Sequence, residues 1–127
     1  MNRKYKILLD DLEIGTTQFE NADPPMGVVF GKISFSNNEF GYKFLSDYCK
    51  SENILVNEDD PAKQLIITQS IDALKVVNEE GVEIKGEGAG ISGMEEDGFE
   101  IEIIGIAYPF YDQEFPHHRD IYESQFE

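Results

Sequence analysis

The sequence predicts an α+β fold, a mainly antiparallel β-sheet of about five to seven strands with one main helix packed on one face. Three observations predict it. Phe99-Glu100-Ile101-Glu102-Ile103-Ile104 alternates apolar and acidic residues, the mark of a strand with one face buried and one in water. Several other short β-branched or aromatic runs are separated by turn residues. Glu39–Lys50 is the best helix candidate, with apolar residues at helical spacing.

The elements follow in order. Tyr5–Leu9 is a first strand, and Leu12–Phe19 is strand-like despite Gly15. Pro24 and Pro25 cannot donate to a ladder, so Asn21-Ala22-Asp23-Pro24-Pro25 reads as a loop or turn. Gly27–Phe35 is the strongest strand of the first half, and Ser36-Asn37-Asn38 offers turn and helix-capping side chains. In Glu39–Lys50, Phe40, Phe44, Leu45 and Tyr48 share one face, Gly41 weakens the helix and Lys50 suits its last turn. Ser51–Lys63 is polar and reads as a loop. Gln64–Thr68, Leu74–Asn78, Val82–Gly86 and Phe99–Ile104 form a meander, with a turn at Asn78-Glu79-Glu80-Gly81. If these strands are neighbours, Glu83, Glu100 and Glu102 line one exposed face. Arg119–Phe126 is a short helix.

A chain of 127 residues suits one domain spanning 1–127, and at 40% hydrophobic residues, with nine Phe and six Tyr, it can build a core that acidic disordered chains cannot. Cys49 is the single cysteine, so an intrachain disulfide is impossible and a reducing compartment is expected. Ile7–Leu9 is too short for a signal h-region and is stopped by Asp10 and Asp11. A cytoplasmic location is expected.

Charge is divided unequally. Residues 1–50 carry six Lys/Arg against seven Asp/Glu, whereas residues 51–127 carry four against nineteen. Almost all of the net −16 therefore sits in the second half. Such a chain is a poor match for nucleic acid or an anionic membrane, both of which need a basic patch. It suits a cationic partner, a basic protein surface or a metal ion.

No motif commits the chain to catalysis. Gly88-Ala89-Gly90-Ile91-Ser92-Gly93 has the form G-x-G-x-x-G, but Glu95, Glu96 and Asp97 follow where a helix N-terminus should receive a pyrophosphate. A glycine loop or bulge is expected there, and no cofactor. His117 and His118 lie among Asp112, Glu114 and Asp120, at a spacing that matches no established metal signature. Asp59-Asp60 and Glu95-Glu96-Asp97-Gly98 do not follow the calcium-loop pattern. Cys49 is expected to be a buried structural thiol, and there is no Gly-x-Ser-x-Gly elbow. Asp23-Pro24-Pro25-Met26-Gly27 and Tyr108-Pro109-Phe110-Tyr111 with Phe115-Pro116 are stiff segments suited to a connection, a core plug or an interface.

Gly15, Glu20, the run Asp23-Pro24-Pro25-Met26-Gly27-Val28-Val29-Phe30-Gly31 and the late Phe115-Pro116-His117-His118 resemble small acidic bacterial proteins of the immunity type, which accompany secreted polymorphic toxins. The resemblance covers about a quarter of the chain and carries over no active-site residue. It implies a cytoplasmic protein that binds and blocks a toxin. Acidity agrees with it independently, because a nuclease must present a basic surface to phosphates.

The expectation is thus a non-catalytic acidic protein that neutralises a basic protein partner. Its contact residues are expected among Glu79, Glu80, Glu83, Glu95, Glu96, Asp97, Glu100 and Glu102. The alternatives are a structural or homo-oligomeric module, such as a homodimer formed through sheet edges, and a small metal-binding enzyme using His117 or His118.

Overall fold

The structure is a computed structural model that describes residues 3–126. It is α+β, with every strand pairing antiparallel. Among the described residues the strands number ten and divide into two sheets rather than one. In chain order they are β1 (Tyr5–Leu9), β2 (Leu12–Thr17), β3 (Asn21–Asp23), β4 (Val28–Lys32), β5 (Ser34–Phe35), β6 (Val56–Asp60), β7 (Leu65–Thr68), β8 (Leu74–Val77), β9 (Gly88–Met94) and β10 (Gly98–Ile104). The helices are α1 (Tyr42–Ser51), α2 (Phe110–Glu114) and α3 (Pro116–Ser124), and Pro24–Met26 forms one 3-10 turn. A four-stranded sheet has the order β5-β2-β1-β8, and a six-stranded sheet the order β3-β4-β10-β9-β7-β6.

The division arises inside the segment that reads as a single strand, Gly27–Phe35. β4 pairs with β10 in the larger sheet, and β5 pairs with β2 in the smaller one. The chain crosses at Ile33, whose N–H still reaches the Phe99 carbonyl at 2.9 Å. Period-2 alternation continues through such a crossing, so the pattern alone does not reveal it.

Inward-facing residues of both sheets feed one core: Tyr5, Ile7, Leu9, Ile14 and Val76 from the smaller, Val29, Ile66, Ile91, Phe99, Ile101 and Ile103 from the larger. At one end Tyr5, Phe19 and Phe115 pack with ring centroids 5.0 to 5.9 Å apart. Phe19 is fully buried with φ 45, a left-handed backbone costly for an aromatic residue. Its N–H donates to Thr17 Oγ1 at 3.3 Å, and its carbonyl lies 2.6 Å from His118 Nε2. A carbonyl can only accept, so Nε2 of His118 carries the proton.

Six expectations are corrected. Asn21–Asp23 is not loop but the short edge strand β3, paired with β4, and the prolines follow it in the 3-10 turn. Ser51–Lys63 is not all loop, because Val56–Asp60 forms β6. An edge strand has one neighbour, so a polar sequence is tolerated there. Gly88–Gly93 is not a loop, since β9 lies between β10 and β7. Val82–Gly86 makes only the single bridge Val77–Glu83. Asn78 Oδ1 accepts the N–H groups of Glu80 and Val82, each at 2.9 Å, and so holds that segment as a side-chain-stabilised turn. The helix at Glu39–Lys50 begins three residues late, at Tyr42. Its buried stripe is Tyr42, Leu45, Ser46 and Cys49, while Phe44 and Tyr48 are only half buried. The C-terminal helix begins earlier than Arg119, at Pro116, where a proline suits the first turn.

Candidate functional site

The eight acidic residues expected at a partner surface do not form one face. Glu79 and Glu80 sit in the turn after β8, at the edge of the four-stranded sheet, and Glu83 bridges Val77 there. Glu80 is committed to Arg3 at 2.7 Å. Glu95, Glu96 and Asp97 belong to the β9–β10 hairpin, and Glu100 and Glu102 to β10 in the other sheet.

Glu95 has a structural task. Its Oε1 accepts the Tyr42 N–H at 2.6 Å and caps α1 from 53 residues away, although Asn37 and Asn38 offered a local cap. The approach is so close that a Cβ on Gly41 would stand 2.2 Å from Glu95 Oε1. On the same side, Asp59 of β6 receives the Tyr42 hydroxyl and, at 2.6 Å, the Ser46 hydroxyl. Burial works against the charged form of Asp59, but those two hydrogen bonds outweigh it and hold the carboxyl below its usual range. Burial pushes the Cys49 thiol upward, as befits an inert structural cysteine.

Glu114 is the most deeply buried carboxylate of the described residues, at 6% exposure. Arg3 approaches its Oε2 at 3.0 Å, the Tyr5 hydroxyl donates to Oε2 at 2.9 Å, and Asn78 Nδ2 donates to Oε1 at 3.0 Å. Burial, reinforced by the Glu114 hydrogen bond, raises the Tyr5 phenol far above its usual value. With both oxygens engaged, Glu114 ties β1, the Asn78 turn and α2 together.

The histidines do not converge on a metal geometry. His118 turns inward to Phe19, and its ring centroid lies 4.1 Å from that of His117. Burial, with repulsion from His118, lowers the His117 pKa, and its Nδ1 is enclosed without a hydrogen-bond partner. Among the described residues, no three His, Cys, Asp or Glu side chains are grouped to hold a metal ion. Among those same residues, no helix is long and apolar enough to cross a membrane.

What remains open is the outer face of the six-stranded sheet. Asp59 of β6, paired with the buried Ile66 of β7, bonds to Tyr42 and Ser46 of α1, and Ala22 of β3 is packed against the core, so among the described residues the outer side of the sheet carries no helix. Register places Glu100 beside Ser92 and Lys32, Glu102 beside Gly90 and Phe30, and Ile104 beside Gly88. Ser92 is also beside Ile67, and Met94 beside Leu65. Glu58 and Asp60 extend two of these rows onto the edge strand.

On this face β9 presents Gly88, Gly90 and Ser92, and then Met94 beside Leu65. A Cβ on Gly88 would stand 2.2 Å from Ser70 Oγ, so glycine is required where the chain after β7 folds close. Two shallow hollows lie on this face. One is lined by Lys32, Leu65, Ser92, Met94, Gly98 and Glu100, the other by Gln69, Ser70, Gly90, Glu102 and Ile104. Alternation in 99–104 made Glu100 and Glu102 legible as outward residues. The aliphatic residues Leu65, Ile67 and Ile104 on the same face were not, because their outward direction depends on pairing with β9. Compared with protein-family models, curated proteins and solved structures, the chain matches none.

Proposed function

We propose that this protein is a non-catalytic acidic binder that neutralises a basic protein partner, in the manner of an immunity protein that blocks a toxin. The observation that carries the reading is the pair Glu100 and Glu102 on an uncovered sheet face, within a half-chain whose charge is strongly negative. Neither carboxylate has an ion-pair partner within 4.0 Å among the described residues. The one cation beside them, Lys32, directs its Nζ to the Asp97 carbonyl at 3.2 Å.

The fold supports this reading because it leaves these charges without an internal task. Excess negative charge destabilises a compact state through self-repulsion but accelerates encounter with a cationic surface. The buried carboxylate Glu114 is fully engaged within the core, so the arrangement offers binding rather than proton transfer. The expected location is the cytoplasm, where an immunity protein meets its target.

The test is co-expression with the product of the adjacent gene. Restored growth, with a complex that forms at about 50 mM salt and weakens at about 500 mM, is the expected result, because the Debye length falls severalfold over that range. No protection and no complex in either buffer would overturn the proposal.

A further inference from the structure

We infer that α3 is a releasable cover over β3 and the 3-10 turn, latched to Phe19 by His118 and set free by proton uptake in its first turn. This device needs no partner and stands apart from the proposed binding role.

The C-terminal segment is anchored unevenly. In α2 and the residue after it, Tyr111 and Phe115 are fully buried and Glu114 nearly so. The Tyr111 hydroxyl also donates to the Val28 carbonyl at 2.9 Å. In α3, by contrast, only His118 is buried, and Ile121 stands 59% exposed. Arg119 pairs with Glu123 inside the helix at 2.9 Å, while its contacts with Asp112 and the Tyr108 ring are looser, at 3.9 and 5.7 Å. So short a helix is marginal alone and keeps its shape through tertiary packing. That packing, against β3 and the 3-10 turn, has one buried side chain in it. The boundary between fixed and releasable chain therefore falls at Phe115-Pro116.

The latch closes on a strained residue. Phe19 holds φ 45 with its N–H on Thr17 Oγ1 and its carbonyl on His118 Nε2. The ring is packed with Tyr5 and Phe115, which belong to the fixed part, so His118 is the contact that comes from α3. Without His118 the buried Phe19 carbonyl needs water, which couples breakage of this bond to departure of the helix. Release frees that carbonyl beside β3, an edge strand of the six-stranded sheet, and unpaired backbone at an edge is where another strand can join.

Protons act on the histidine pair, whose ring centroids lie 4.1 Å apart. In an imidazolium both ring nitrogens are donors, yet His117 Nδ1 is enclosed with nothing to donate to. Among the described residues, His118 and Arg3 repel a cation on His117 and Asp120 attracts it. Arg3 is itself held by Glu80 and Glu114, and the N-terminal end of α3 adds positive potential. His118 faces the Phe115 ring and the Phe19 carbonyl. Burial first, then His118, lowers the His117 pKa. In water the pair takes up a proton without these costs, so the open form binds more protons than the closed one. Closure is favoured above about pH 6.5 and is lost progressively as pH falls below it.

The experiment is amide hydrogen exchange by NMR on the full chain from about pH 7 to 5, corrected for intrinsic rates. At pH 7, residues 120–124 are expected to open about tenfold or more often than β1 and β10, with the Phe115 amide staying with the body. Their opening is expected to rise severalfold between about pH 6.5 and 5, and His117→Gln to remove that rise. His118→Ala is expected to raise α3 opening about tenfold, and His118→Gln, whose amide can still donate to the carbonyl, to raise it less. Ile101→Val, in the core of β10, is expected to speed exchange in β1 and β10 and leave α3 unchanged. Equal acceleration of α3 by Ile101→Val would show that the helix opens only with the whole molecule and would overturn the latch. A pH dependence that survives in His117→Gln would overturn its proton control. Should His118→Ala not fold, Ile101→Val and His117→Gln decide both points.

Discussion

Glu114 and Glu102 are the same side chain in opposite circumstances. Glu114 is buried and receives Arg3, Tyr5 and Asn78 at 2.9 to 3.0 Å. Glu102 points outward from the middle of a sheet with Gly90 on one side and Phe30 on the other. The first carboxylate organises the fold, and the second is left available. In a chain with 26 acidic residues, charge composition alone does not separate these roles. What separates them is the count of donors that tertiary structure brings to each.

The largest expected effect comes from breaking the buried side of this contrast. Glu114→Ala leaves the Tyr5 hydroxyl and Asn78 amide without a partner and Arg3 without its closest buried counter-charge. Because the Arg3 side chain is 23% exposed, the expected loss is at the lower end of that for buried pairs, about 3 kcal/mol, read by urea denaturation. Arg3→Met combined with Glu114→Leu should recover part of it, since replacing both partners removes the uncompensated charge. A loss below about 0.5 kcal/mol for Glu114→Ala, the range of ordinary surface changes, would erase the distinction.

Glu95 is intermediate between the two. It is exposed, yet it caps α1 from the β9–β10 hairpin. Glu95→Ala should cost about 1 kcal/mol, the usual value of an N-cap, and increase hydrogen exchange in the first turn of α1. Unchanged exchange at Tyr42 would return Glu95 to the group of free surface acids.

A smaller effect concerns His117. Burial, then His118, lowers its folded pKa below the usual 6.5, so the unfolded chain binds more protons in the window below that value. Stability from this group is fully present above pH 6.5 and is lost as pH falls through and below it. His117→Gln should therefore flatten the fall of melting temperature between about pH 6.5 and 5, relative to the parent chain. Parallel curves would show that the enclosed Nδ1 is immaterial to folding.

The smallest effect belongs to the open face. Glu102→Gln should change stability by no more than about 0.5 kcal/mol, with an unchanged denaturant slope. A loss of 2 kcal/mol or more, on the scale of breaking buried polar contacts, would make Glu102 a second structural carboxylate and remove the contrast.

Much of the fold was legible from local pattern. Tyr5–Leu9 is a strand with the bounds expected, and Phe99–Ile104 lies within β10 with its acids outward. Both carry strong β propensity, and alternation fixes which face is buried. Errors fell where a distant partner overrode the local signal. Gly88–Gly93 has poor strand propensity but acquires a ladder on each side, from β10 and β7. The helix starts at Tyr42 because Glu95 supplies the cap.

Of the candidate site, Glu100 and Glu102 were readable, since a period of two needs only neighbours in the chain. The division of the eight acids between two sheets was not, because it follows from the crossing at Ile33 and the strand orders. By itself the sequence determined the α+β class, the antiparallel strands, the buried Cys49 and the concentration of negative charge after residue 50. Only tertiary structure decided that Glu114 is enclosed, that Glu95 caps a helix and that Glu102 stands on the outer face of a sheet beside Gly90 and Phe30. The physical reason is that period and propensity are local, whereas the environment of a carboxylate is set by donors and walls from segments far away in the chain.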